Sequence, residues 1–220
     1  MKHVIHSEVS SHRKVSRLGQ ALPLAIWLLA AGSVLPAAAH DNHASHGLAN
    51  EQTHSEHAYT LPALKVTRAD GQRISLSEAI DDGRPVVLNF IYTSCNAVCP
   101  VTSQVFSELR ELLGAERDKV NMVSISIDPE QDTPRLLTEY AKRFGSAGVW
   151  AHYTSSSAAA VEIQRAFGAW RGDKMNHQPI TYLRAAPGKP WVRLDGFFGP
   201  AALLAEYQKT VQPRSARAAL

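Results

Sequence analysis

Apolar positions from Val86 onward switch between two periods. Val86-Val87-Leu88-Asn89-Phe90-Ile91-Tyr92 and Val120-Asn121-Met122-Val123-Ser124-Ile125-Ser126-Ile127 are short, nearly continuous apolar runs. Such runs predict central strands covered on both faces. Between them, Val101, Val105, Phe106, Leu109, Leu112 and Leu113 recur at helical spacing. They predict a helix from Pro100 to about Leu113, with proline in its first turn. Thr133 to Phe144 predicts a second helix, with Asp132 or Thr133 as N-cap and Gly145 beyond its end. Trp150 to Tyr153 predicts a short strand and Ser157 to Ala169 a third helix. Ile180-Thr181-Tyr182-Leu183-Arg184 and Trp191-Val192-Arg193-Leu194 predict a hairpin around Pro187-Gly188, followed by a closing helix from Pro200 to Val211. Upstream, Leu64 to Leu76 predicts a hairpin turning at Asp70-Gly71, and Ser77 to Ile80 a helical turn. The sum is an α/β sandwich: a central mixed β-sheet flanked by helices, plus an N-terminal hairpin.

The first 58 residues follow neither period. Residues 1–39 carry a basic region (Arg13, Lys14, Arg17), an apolar stretch from Ala21 to Leu35 and the small residues Ala37-Ala38-Ala39. This is the pattern of a signal peptide cut before His40. An uncleaved signal anchor is the alternative, because Ala21 to Ala39 approaches the roughly 20 apolar residues that span a bilayer. Either way the remainder is expected outside the cytoplasm, periplasmic or anchored at the inner membrane facing the periplasm. Residues 40–58 are polar and hold His40, His43, His46, His54 and His57. They are expected to form a disordered histidine-rich tail: a copper-gathering arm or a soluble linker. The folded domain is expected over residues 59–212, with a C-terminal tail at 213–220.

Charge narrows the partners. The chain has 23 Lys and Arg against 20 Asp and Glu, but residues 1–39 hold four of the former and one of the latter. The exported part therefore has 19 of each and no basic patch, which argues against nucleic acid. Membrane contact is expected only if the leader is retained.

Chemistry is concentrated in two residues. Cys95 and Cys99 are the only cysteines. They lie in Ser94-Cys95-Asn96-Ala97-Val98-Cys99-Pro100, between the first central strand and the first long helix. A helix N-terminus favours the thiolate, the form that binds metals and attacks disulfides. Three intervening residues, rather than the two usual in thioredoxin-type dithiols, hint at metal handling. A structural disulfide closing so short a loop would constrain little of the unfolded chain. Two sulfurs leave a metal site incomplete, and the domain offers two histidines. His152 sits in a predicted strand and reads as an ordinary strand histidine. His177 lies in a polar loop (172–179) entering the late hairpin, where it is either a ligand or a solvated surface residue. Two thiolates and one imidazole suit Cu(I). Met175 is a further soft side chain two residues from His177, and packing beside the loop is its simpler reading.

Three separated motifs together resemble the Sco/SenC family of exported, often membrane-tethered copper proteins. They are Tyr92-Thr93-Ser94-Cys95 with Cys99-Pro100, then Ser126-Ile127-Asp128-Pro129-Glu130 with Asp132-Thr133-Pro134, then His177 ahead of Tyr182-Leu183. The likeness runs from about Leu61 to about Val211. It implies a thioredoxin-like fold and a copper site, Cu(I) and also Cu(II), formed by Cys95, Cys99 and His177. It implies a metallochaperone that assists assembly of the binuclear copper centre of cytochrome c oxidase, or a thiol reductant of that centre's cysteines. The implied partners are the copper-bearing oxidase subunit or another copper client, and an exported copper donor. Asp128 falls at the family's Asp-Pro position, where it shapes its loop or supports a ligand. Two departures stand out: Asn96-Ala97 where the family often has Pro-Asp, and Asn176 where it often has Asp. They remove carboxylates relevant to Cu(II) affinity or partner choice and leave the three ligands intact.

The alternative is a metal-independent thiol-disulfide oxidoreductase, with Cys95 attacking and Cys99 resolving as the redox-active pair. A peroxidase using Cys95 and a plain structural domain with an incidental disulfide rank below it.

Overall fold

The computed structural model describes residues 52–212. The leader, most of the histidine-rich tail and residues 213–220 lie outside the described residues. Eight strands form one mixed sheet in the order β1-β8-β7-β4-β5-β6-β2-β3. Its centre is β4 (Val86–Ile91), parallel to β5 (Asn121–Ser126), which is parallel to β6 (Ala151–Thr154). On the other side β4 pairs antiparallel with β7 (Ile180–Arg184), and β7 with β8 (Trp191–Asp195). The N-terminal hairpin, β2 (Lys65–Arg68) and β3 (Arg73–Ser75), joins antiparallel at β6. Gly71 turns it with φ +90°, a conformation that favours glycine.

Every residue of β4 and β5 is buried, because alternate side chains enter two different cores. Val86, Leu88 and Phe90 pack with Ile80 of α1 (Leu76–Ile80) and Ile163 of α4 (Ser157–Ala166). Val87 faces Phe106 and Leu109 of α2 (Val98–Leu113) and Leu203 of α5 (Pro200–Val211). At the carboxyl end of β4 a third cluster joins Ile91, Tyr92, Cys95 and Cys99 to Leu137 and Tyr140 of α3 (Pro134–Arg143).

The expected disorder is corrected at the end of the histidine-rich segment, residues 53–57. Thr53–His57 form β1, paired in register from Thr53↔Asp195 to His57↔Trp191. Its side chains are largely exposed, so no hydropathy signal marks it. It is held by the backbone groups that the edge of β8 would otherwise leave open. His54 pairs with Glu206 at 2.9 Å. His57 bonds Ser55 Oγ at 2.9 Å and stacks on Tyr59. These two histidines belong to the folded domain, three residues apart on a strand and so on opposite faces.

Two helix boundaries also move. α2 begins at Val98, which places Cys99 inside its first turn. α4 ends at Ala166, with Phe167 as C-cap and Gly168 beyond it at φ +62°.

Candidate metal centre

The cysteine loop is built by α2's missing cap. Ala97 occupies the N-cap position and offers no side-chain acceptor. The Cys99 N–H donates instead to Cys95 Sγ at 3.3 Å, so a sulfur satisfies one of the open donors of the helix. Both thiols are free and lie close together, Cys95 6% exposed and Cys99 fully buried. Burial alone would push the Cys95 thiol up. It is outweighed by the N–H groups of Cys99 and Ala97, the Cys99 thiol and the Tyr92 hydroxyl, which bring it below its ordinary value. Deeper burial pushes Cys99 up. The pair is therefore asymmetric: Cys95 is the more readily ionised of the two, and the thiolate is the form a soft ion or an incoming disulfide requires.

Asp132 braces this loop. It is fully buried and accepts from Thr93 N at 3.1 Å, Thr93 Oγ1 at 2.6 Å and Ser126 Oγ at 2.6 Å. The turn after β4 is thus tied to the end of β5. Sequence alone offers Asp132 or Thr133 as the N-cap. Thr133 takes that role, accepting from Leu136 N, and frees Asp132 for the brace. Tyr140 Oη donates to Cys99 O at 3.2 Å and contacts Ser103 Oγ at 2.7 Å, fixing the first turn of α2 from α3.

His177 arrives on a different segment. A short 3-10 turn, Lys174–Asn176, is capped by Asp173, whose side chain accepts from Met175 N at 2.8 Å. Lys174 Nζ reaches Asp128 Oδ2 at 2.5 Å. His177 Nε2 stands 3.0 Å from Phe90 O. A carbonyl only accepts, so Nε2 carries the proton and Nδ1 keeps its lone pair. A histidine whose second nitrogen donates to a backbone carbonyl is oriented as metal-binding histidines commonly are. Burial lowers the His177 pKa, partly offset by the Phe90 carbonyl, and so favours the neutral ring.

Tyr92 joins the two segments. Its ring meets that of His177 at 6.2 Å and lies 5.8 Å from Lys174 Nζ. Its side chain packs with Cys95 and Cys99, and its hydroxyl donates to Met175 Sδ at 3.9 Å. The cysteines and His177 thus face a common tyrosine without closing on one point. Among the described residues no three His, Cys, Asp or Glu side chains stand together closely enough to hold a metal ion. The donor set nevertheless fits a soft ion: two sulfurs with a neutral imidazole on an adjoining loop. His152 lies elsewhere, buried in β6 and stacked on Trp150. Asp128 shapes its loop through Ser126 Oγ, which accepts from its N–H, and receives Lys174. The partnership of Lys174 with Asp128 had no signal in the sequence.

A parallel-centred sheet with a dithiol at the carboxyl end of its middle strand defines a protein of thioredoxin-like fold. The SCO1/SenC family model matches residues 52–212, and the chain belongs to that family. It is 28% identical over 140 residues to the SCO1 protein homolog of Bacillus subtilis, a match covering 60% of this chain and 71% of that one. The solved structure of BsSco, a member of the Sco family of cytochrome c oxidase assembly proteins in which a disulfide switch was identified, aligns with a TM-score of 0.59. That match has 26% identity over 71% of this chain and 96% of the other. Copper-bound ScoI of Bradyrhizobium japonicum aligns with a TM-score of 0.56 and 22% identity, over 69% and 99%.

Proposed function

We propose that this protein is an exported copper metallochaperone. Copper is its cargo, held by Cys95, Cys99 and His177, and the copper-bearing subunit of cytochrome c oxidase is its client. The observation that carries the reading is the asymmetric pair of free thiols, Cys95 capping the helix that contains Cys99. Membership of a family with a copper-bound member and an oxidase-assembly member supports the metal and the client. Export rests on the leader pattern at residues 1–39. Among the described residues no helix is long and apolar enough to cross a membrane.

In this reading the Cys95 thiolate receives the ion, and Cys99 binds as it gives up its proton. The Phe90 carbonyl holds the His177 ring with Nδ1 available, and approach of the 174–177 turn brings that nitrogen to the sulfurs. Transfer follows by ligand exchange, a client thiolate replacing one protein ligand at a time.

The test is an anaerobic Cu(I) titration of the reduced protein beside His177→Ala and the double variant Cys95→Ser, Cys99→Ser. One tightly held copper, weakened by the first change and lost with the second, is expected. The second reading, a metal-independent thiol-disulfide oxidoreductase, draws on the same asymmetry between Cys95 and Cys99 and on the disulfide switch of BsSco. Rapid disulfide exchange without tight copper would establish it in place of the first.

A further inference from the structure

Met175 is 73% exposed, the most exposed of the large apolar side chains among the described residues. Leaving a flexible thioether in water forgoes its burial energy, so its position calls for a reason. The loop holds it there deliberately. Asp173 accepts from its backbone N–H at 2.8 Å, and Lys174 beside it is tied to Asp128. Its sulfur is not directed at random into solvent, because the Tyr92 hydroxyl donates to Sδ at 3.9 Å. The Tyr92 side chain itself packs in one cluster with Cys95 and Cys99. One tyrosine therefore touches the thiol cluster and the thioether, and a thioether is so weak an acceptor that giving up this contact costs little.

We propose that Met175 is a further copper ligand, supplying a thioether to Cu(I) held by Cys95 and Cys99. The inference rests on the copper reading above and adds a residue to its site. Cysteine and methionine sulfurs together select Cu(I) over harder ions. Lying outermost, Met175 is the first of these sulfurs that an ion arriving from solvent or from a donor protein meets. His177, on the same turn but with Nε2 bonded to Phe90 O, supplies the nitrogen that Cu(II) prefers. The turn thus presents two ligands of different softness: His177 serves both oxidation states, and Met175 adds a soft ligand for the reduced one.

The experiment uses the selenomethionine-labelled full chain, loaded with one equivalent of Cu(I) under anaerobic conditions and examined by copper and selenium X-ray absorption. The chain has three methionines. Met122 is buried in β5, and Met175→Leu removes the relevant one without disturbing a packed site. The expected result is a copper–selenium scattering path that disappears in Met175→Leu. That variant should also bind Cu(I) about tenfold more weakly in competition with a chelator, with Cu(II) affinity unchanged. Copper bound through two sulfurs with no selenium path would overturn the role of Met175 and leave the metallochaperone reading standing. Failure of the unsubstituted protein to hold Cu(I) would overturn both.

Discussion

The two halves of the candidate site are built differently. The cysteine half is packed: Cys95 and Cys99 sit in a cluster with Ile91, Leu137 and Tyr140. Hydrogen bonds to the buried side chains of Asp132 and Tyr140 hold its backbone. The histidine half is a polar turn fastened by one partly exposed ion pair, one Asp cap and one ring nitrogen on a carbonyl. A site that must both retain and release its cargo gains from this division. On the proposed reading, the sulfurs keep their mutual geometry, while the other proposed ligands sit on a segment whose displacement costs little.

The largest effect should come from breaking the packed half. Asp132→Ala leaves the half-buried Thr93 N–H and Oγ1 and the buried Ser126 Oγ without their acceptor. A loss of about 4 kcal/mol in unfolding free energy is expected, from several such groups at about 1–3 kcal/mol each. Denaturant unfolding measures it, and a loss below about 1 kcal/mol would mean that the loop is not braced as described. The double variant Thr93→Val, Asp132→Ala should recover part of the loss, since it removes a stranded donor together with its acceptor.

Acid tests the packing behind that half, through a residue outside the site that meets Tyr140, and the effect is smaller. His152 packs on Trp150 at 5.2 Å and on Tyr140 at 6.1 Å. Burial pushes its pKa from 6.5 down to about 4. A neutral ring is thus required in the fold, while the unfolded chain takes up a proton below about 6.5. The stability this residue contributes is complete above that pH and is lost as pH falls toward about 4. It amounts to at most about 3 kcal/mol. His177 is shifted in the same direction by burial and adds to the slope. His152→Phe should flatten the pH dependence of unfolding between about 6.5 and 4 more than His177→Ala does. Equal effects would mean that the two halves are equally packed.

The same contrast governs what could be read from the chain. The packed half was legible because burial writes periodicity into sequence. Both central strands, the helix after the cysteines and the closing helix follow from apolar spacing, and α5 spans the expected Pro200–Val211. β1 was not legible, because backbone pairing to β8 asks nothing of its side chains. Within the site, the cysteines stood out by rarity and spacing. The bracing of Asp132 did not, because an aspartate ahead of Thr133-Pro134 carries the same signal whether it caps the helix or turns back to Thr93. Tyr92 looked like the end of an apolar strand, and nothing in spacing reveals that its ring and hydroxyl meet Cys95, Lys174, Met175 and His177. Those contacts depend on how a loop 80 residues away folds over the sheet.

The smallest effect on stability should reveal the most about the looser half. Lys174→Ala removes the ion pair with Asp128, whose partners are 37% and 11% exposed at the side chain. Because Lys174 keeps access to solvent, the cost should stay below about 1 kcal/mol. The consequence should be local. Amide hydrogen exchange at residues 174–177 should quicken several-fold, while residues 93–99, held by Asp132 and Tyr140, keep their protection. Raising the salt concentration on the unsubstituted protein should move the turn in the same direction by screening the pair. Equal acceleration of both segments would show that the halves move together, and no acceleration in either would show that the Asp173 cap and the His177–Phe90 bond hold the turn without the lysine.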